Sequence, residues 1–243
     1  MGRKGPTRHL KRHQSPPFWK IHRKEEVWAI KTSSGPHAFK TTMPLTVVLR
    51  DVLKVAKTAR EAKTIVKQGK VKIDQKIRLN EHFPVGLMDV ISLPDASINY
   101  RVLPEKGGRW GLHQIKGDEI NFKLVRIIGK TTIKEGITQL SFHDGRTMNI
   151  KSDSIYKVND VFKIKIPSQE ILEHITFKDQ LATIITGGRS QGETGMIIGF
   201  GDEPGWKKTA TVRTPKGTDI RTLTKYVFPI GVTESLISLP ESL

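Results

Sequence analysis

The stretch Thr58–Asp74, TAREAKTIVKQGKVKID, joins a short basic helix to a basic strand through a single glycine. Thr58 and Glu61 have the Thr-x-x-Glu spacing of a capping box, and Gly69 stands where a helix closes in the left-handed conformation that side chains resist. Between these two stops, Ala59, Ala62, Ile65 and Val66 gather on one helix face, and Arg60, Lys63 and Lys67 gather on the next. After Gly69, Val71 and Ile73 alternate with Lys70, Lys72 and Asp74, which predicts a half-buried strand with its lysines on the wet side. Upstream, Leu45, Val48, Leu49, Val52 and Leu53 repeat at helical spacing with Arg50, Lys54 and Lys57 opposite, predicting a second helix with a basic ridge. From Arg50 to Lys72 there are eight Lys and Arg against only Asp51 and Glu61. A merely solvated helix face mixes its signs. A one-signed face on a rigid element is suited to gripping a phosphate backbone.

The whole chain has 243 residues and a formal net charge of +17, which points to a strongly acidic partner, nucleic acid first and a membrane surface second. No run of eighteen apolar residues occurs, and His, Gln and Pro follow the basic start where a secretory signal needs an apolar stretch. A cytoplasmic protein is therefore expected. The absence of cysteine excludes disulfides, thiolate zinc sites and thiol nucleophiles. At 7% aromatic residues, stacking platforms for unpaired bases should be few, and recognition of folded RNA by shape and phosphate fits better.

Shifts in texture divide the chain into small modules, giving a multi-domain α+β protein. Residues 1–42 form a basic N-terminal arm. Its first forty residues hold ten Lys and Arg, among them Arg8, Lys11, Arg12 and Arg23, against Glu25 and Glu26, with four histidines. Such a segment is expected not to bury a core and to order on RNA, although Phe18, Trp19, Trp28 and Phe39 should dock somewhere. Residues 43–105 hold the basic helical module. Residues 106–170 read as a central all-β module, with a β-branched run at Phe122–Ile128, an Asp144-Gly145 hairpin turn, and the alternation Val161–Ile166 closed by Pro167. Residues 171–215 contain LATIITGGRSQGETGMIIGF (Leu181–Phe200), two strand-like runs around a glycine-rich loop. Strand rather than helix follows the loop, which argues against nucleotide binding. Gly187, Gly188 and Gly195 are expected to supply unusual backbone angles, and Arg189, Lys207, Lys208 and Arg213 to reach phosphate. Residues 216–243 form a C-terminal extension; from Tyr226 onward it has no Lys or Arg, and it should pack back on the preceding module or meet a protein.

Three resemblances sharpen this reading. Met43–Glu105 resembles the alpha-L RNA-binding fold, two helices on a small sheet, through Arg60, Ala62, Ile65, Gly69, Val71, Ile73, Asp74, Lys76, Pro84, Gly86, Asp89, Val90 and Ile91. That resemblance implies Arg60, Lys63, Lys67 and Lys72 as RNA contacts, beside Arg50, Lys54, Lys57 and Lys70 on the same basic face. Residues 178–211 resemble the KOW motif, an SH3-like β-barrel element. Finally, His9, Lys11, Arg12, Pro16, Trp19 and Arg23 resemble the opening signature of the archaeal and eukaryotic e-type small-subunit ribosomal protein four family. Gly35-Pro36-His37, Met43-Pro44-Leu45, Leu49-Arg50-Asp51, Gly86-Leu87-Met88-Asp89-Val90 and Thr186-Gly187-Gly188-Arg189 fit as well. His13, Gln14 and Ser34 depart from the pattern, which bears only on local packing of the arm. The resemblance implies a structural constituent of the small ribosomal subunit, located in the cytoplasm, with small-subunit ribosomal RNA and neighbouring small-subunit ribosomal proteins as partners. It implies no membrane, no small-molecule substrate, no cofactor, no metal and no catalytic residue.

Two other classes compete. An RNA-modifying enzyme with an alpha-L module needs a catalytic fold for which the small β-rich remainder leaves no room. His143-Asp144 reads as a hairpin turn rather than an acid–base pair, and Asp118-Glu119 as a solvated loop. A KOW-containing transcription or translation factor would not be stoichiometric with ribosomes.

Overall fold

The computed structural model describes residues 9–22, 24–133, 136–150, 155–203 and 207–240, with the side chains of 202, 203 and 207 outside the description. It is mostly β, with few helices, arranged in successive modules. In the arm, β1 (Leu10–Lys11) and β2 (Trp28–Ala29) pair as a short antiparallel ribbon. The arm does bury apolar groups: Leu10, Phe18 and Trp19 join the main core, and the Trp19 indole N–H donates to the Thr42 carbonyl at 2.8 Å. The expectation that it buries no core is corrected, because its large side chains find an existing core to enter. Trp28 does not dock and stays 56% exposed.

The helical module begins with β3 (Met43–Pro44) and α1 (Leu45–Val47), which continues as a π-wound turn over Val48–Val52. The regular α-helix expected to Leu53 is absent. Leu53 N–H donates five residues back to Val48, and Lys54 takes a left-handed φ of 56°, ending the segment. Nor is it amphipathic at its start, since Leu45 to Leu49 are all buried and charge first emerges at Arg50. Its leading N–H groups are satisfied by the Phe83 and Glu81 carbonyls.

Next comes α2 (Ala59–Lys67), built as its sequence predicts. Thr58 Oγ1 accepts from Glu61 N–H at 3.2 Å, and Glu61 Oε2 accepts from Lys57 N–H at 2.8 Å. At the other end Gly69, φ 74°, donates to Val66, and Lys70 N–H donates to Ile65, the paired bonds of a Schellman motif. Ala62 and Val66 are buried, while Arg60, Lys63 and Lys67 are exposed.

Strands β4 (Lys72–Ile73), β5 (Lys76–Ile77), β6 (Pro84–Val85), β7 (Val90–Leu93), β8 (Ile98–Glu105) and β9 (Arg109–Ile115) complete the module. Five of them form a sheet in the order β5-β4-β7-β8-β9, and β6 pairs with β3. The central sheet runs β12-β11-β10-β13-β14, from β10 (Phe122–Thr132), β11 (Thr138–Phe142), β12 (Thr147–Ile150), β13 (Val161–Lys165) and β14 (Ile171–Ile175). The last sheet runs β18-β17-β16-β15-β19, from β15 (Ala182–Ile185), β16 (Thr194–Glu203), β17 (Lys207–Arg213), β18 (Asp219–Leu223) and β19 (Val227–Gly231).

Sheet membership departs from the expected boundaries. β9 lies in the first sheet although it falls past residue 105, and β14 pairs with β13 past residue 170. β18 and β19 lie past residue 215 yet complete the last sheet, so the C-terminal segment packs back on the preceding module. One continuous apolar core joins the arm, the first sheet, the last sheet and, through Phe122, Leu124, Val161 and Ile175, part of the central sheet, whereas Val125, Ile127, Leu140, Phe142, Phe162 and Ile164 form a second core within the central module.

The glycine-rich loop also differs from expectation. Of Gly187, Gly188 and Gly195, only Gly188 has a positive φ. A Cβ on Gly187 would sit 2.7 Å from the Tyr226 ring, and one on Gly195 would sit 2.2 Å from the Arg213 carbonyl, so close approach requires these two. The loop lies against the β8–β9 turn, where Gln191 Nε2 donates to the Arg109 carbonyl at 2.8 Å.

Candidate nucleic-acid interface

The exposed side of α2 and the turn before it carry the densest positive charge on a regular element. Lys54, Lys57, Arg60 and Lys67 are exposed and enter no ion pair of 4.0 Å or less among the described residues. Their neighbours are engaged. Lys63 contacts Glu81 at 2.7 Å, and this hydrogen bond holds the Glu81 carboxyl below its ordinary range. Lys70 pairs with Asp95 at 3.2 Å, and Arg50 makes two 2.9 Å bonds to Asp51. Lys72 is half-buried.

In the arm, Lys11 is exposed, but the Arg12 guanidinium is spent on its own segment, donating to Ser15 Oγ and the carbonyls of Ile21 and His22. Arg12 therefore folds the arm instead of presenting a free cation. Arg8 and Arg23 lie outside the described residues. In the last module Arg189 and Lys208 are exposed, Lys207 has no described side chain, and Arg213 makes a bidentate pair with Asp219 at 2.8 and 3.0 Å. Arg189 sits on the glycine-rich loop and Lys208 on β17, so the candidates fall into separate patches, of which the α2 patch is the most continuous.

Sequence reasoning missed a buried ionic cluster behind the basic face. Lys123 of β10 reaches into the first module, its Nζ 2.9 Å from Asp74, 2.5 Å from Asp89 and 3.1 Å from Asp144. Arg146 bridges Asp74 at 2.5 Å and Asp144 at 3.0 Å, and His37 Nε2 lies 2.9 Å from Asp89. Burial alone would push the Asp89 carboxyl up, but His37 and Lys123 together hold it well below its usual range. Burial likewise opposes the Lys123 charge, yet the surrounding carboxylates raise its pKa above the ordinary value. Asp74, expected on the wet side of its strand, is instead buried at a left-handed φ of 49°, because the chain turns there and aims it inward. Its pattern in sequence is that of any strand end.

Asp144 does sit in the β11–β12 turn, beside Gly145 at φ 74°, but its side chain is fully buried in this cluster and is not there for backbone preference alone. His143 beside it has both ring nitrogens occupied: Nδ1 accepts from Arg126 N–H at 3.1 Å, leaving Nε2–H to donate to the Leu87 carbonyl at 3.2 Å. Burial pushes its pKa down to about 3, so it stays neutral, and neither nitrogen is available to shuttle a proton. Glu119, expected in a solvated loop, accepts from Ser238 N–H and Oγ–H at 2.9 and 3.1 Å and tethers the C-terminal segment. Among the described residues no group of His, Cys, Asp and Glu is arranged to hold a metal ion, and no helix is long and apolar enough to cross a membrane.

Comparison with known proteins gives three family matches: Ribosomal family S4e over residues 96–171, the RS4NT (NUC023) domain over 4–40, and the S4 domain over 43–91. The chain is 48% identical over 234 residues to the small ribosomal subunit protein eS4 of Methanothermobacter thermautotrophicus, covering 96% of both chains. It is 43% identical over 239 residues to the protein of the same name from Methanosphaera stadtmanae, covering 98% of both. In structure it is similar to the 30S ribosomal protein S4e of Thermoplasma acidophilum, with a TM-score of 0.68 and 31% identity, covering 79% of this chain and 96% of that one.

Proposed function

The chain belongs to the ribosomal S4e family, a family of small-subunit ribosomal proteins that is not enzymatic, and from that premise we propose that it binds and stabilises folded small-subunit ribosomal RNA in the cytoplasmic ribosome. The observation that carries this reading is the row of exposed cations Lys54, Lys57, Arg60 and Lys67 on and before α2, unpaired among the described residues and inside the matched S4 domain. Lys and Arg there neutralise phosphates and release counterions, so affinity should fall steeply with salt. Lys11, Lys72, Arg189 and Lys208 are secondary contacts in this reading. Lys63, Lys70 and Arg50 contribute only after leaving their carboxylate partners, and Arg12 serves the arm's fold.

The first module is read as an alpha-L unit and the last as a KOW-type SH3-like barrel. The domains divide as an arm to residue 42, a first module from 43 to 115, a central module to 175, and a last module from there to the C-terminal segment. Neighbouring small-subunit proteins complete the set of partners. The test is sucrose-gradient sedimentation of a native extract, following this protein at moderate and high salt. Near-stoichiometric migration with the small subunit supports the reading. A position at the top of the gradient under both conditions overturns it and favours a free factor.

A further inference from the structure

Trp28 is the exception among the described tryptophans, 56% exposed where Trp19 and Trp110 are 2% and 7% exposed. It lies on β2 directly opposite Lys11 of β1, so the two side chains share the outer face of the ribbon. His9 touches the indole at a centroid distance of 5.5 Å and an interplanar angle of 55°, a tilted contact that is not a parallel stack. Below Trp28 a cleft of about 500 Å³, within the range of ligand-binding clefts, separates the arm from the helical module. Its walls carry different charges: Glu25 and Glu26 of the arm on one side, and on the other Lys54 and Lys57 of the α1–α2 connection beside the Arg50–Asp51 ion pair, whose guanidinium also feels Glu25 and Glu26.

A cleft lined by an aromatic face, by lysines and by carboxylates does not fit a bare phosphate, which the carboxylates would repel. It fits a nucleotide. The base can stack on the indole, the phosphates can lie toward the lysines, and the carboxylates can accept from N–H donors on the base edge. Guanine presents neighbouring ring and amino N–H donors to one carboxylate, whereas uracil presents a single N–H. Resting on the RNA-binding reading above, we propose that this cleft takes one unpaired guanine nucleotide of the bound RNA, stacked on Trp28. The same protein then reads a backbone with α2 and a single base with its arm.

The test measures binding of the full chain to a short RNA duplex in three forms: fully paired, with one bulged guanine, and with one bulged uridine. The bulged-guanine form should bind about tenfold tighter than the paired form. Trp28→Ala should erase that gain and leave the paired form unchanged, Trp28→Phe should keep part of it, and the double variant Glu25→Gln, Glu26→Gln should make guanine and uridine equivalent. Thermal melts of the variants check folding, which an exposed site should leave intact. The proposal is overturned if the wild type does not separate bulged from paired forms, or if Trp28→Ala weakens both alike. It is also overturned if Trp28→Ala alters no RNA affinity but lowers incorporation into small subunits, the outcome for a protein-docking patch. Failure of the wild type to bind any of the three forms would count against the RNA reading itself, a separable result.

Discussion

Lys123 holds together groups that would otherwise repel: without it, Asp74, Asp89 and Asp144 share a dry joint in which, among the described residues, Arg146 is the remaining cation and His37 a hydrogen-bond partner of Asp89. Removing one partner from such a cluster leaves uncompensated buried charge, so Lys123→Met should lower unfolding stability by about 3–5 kcal/mol in urea titrations. Lys163→Met, at a partly exposed lysine 4.0 Å from Glu173, should shift it by no more than about 1 kcal/mol; equal losses in both variants would refute the assignment. His143 sets a second expectation. It is neutral in the fold with a pKa near 3, against about 6.5 when unfolded, so the unfolded chain binds the extra proton and stability is lost as pH falls from about 6.5 toward 3. Asp89, whose pKa is depressed, adds a further loss only below about pH 4, its stabilisation being fully present above that value. Denaturation midpoints across this range should therefore fall in two stages, and His143→Gln should flatten the upper one. A slope unchanged by that substitution would place the titrating group elsewhere. None of this was legible in the sequence. Lys123 lies 49 residues from Asp74 and 34 from Asp89, and a lone lysine in a β-branched run has the same pattern whether it points to water or into a joint.

At the scale of elements, α2 was readable because everything that specifies it is local. The cap, the apolar face and the closing glycine lie within twelve residues, Thr58 to Gly69, and all form as the spacing requires. The preceding segment differs for a complementary reason: helical spacing of Leu45 to Leu53 does not reveal that Leu45 to Leu49 are all buried and that the chain is pulled into a π-turn before Lys54. The functional expectation follows from which cations α2 leaves unpaired. Arg60→Ala with Lys67→Ala should weaken binding to a small-subunit ribosomal RNA transcript and reduce the slope of log affinity against log salt by roughly 2, about one per phosphate contact. Lys63→Ala with Lys70→Ala should do less, since those ammonium groups must first leave Glu81 and Asp95. The reverse order of effects would show that the basic face has been drawn on the wrong side of the helix. Circular dichroism of both pairs guards against unfolding as the cause.

Over the whole molecule, module order was visible in texture but module limits were not, because texture reports that a segment is a strand and not which sheet it joins. β9, β14, β18 and β19 each pair across an expected boundary, and their partners are fixed by long-range packing. The modules are also tied to one another. Arg126 of the central sheet is half-buried, its pKa lowered to about 10 by desolvation, and it donates at 2.9 Å to the carbonyls of Lys225 and Val227 beside and within β19. Its guanidinium also lies 5.6 Å from the Phe228 ring centre. Arg126→Met keeps much of the volume but removes the donor to the buried Val227 carbonyl, at a cost of roughly 1–3 kcal/mol, while water can replace the exposed bond to Lys225. The loss should be local in one direction. β19 pairs with β15 in the core shared with the first module and with Phe122, Leu124, Val161 and Ile175 of the central sheet, whereas the apolar residues of β11 and β12 pack in the second cluster. Hydrogen exchange of the variant should therefore show faster exchange in β15 and β19 while β11 and β12 keep their protection. Uniform acceleration over all three sheets would mean that Arg126 supports one global cooperative unit, and the central module would not be separable from its neighbours.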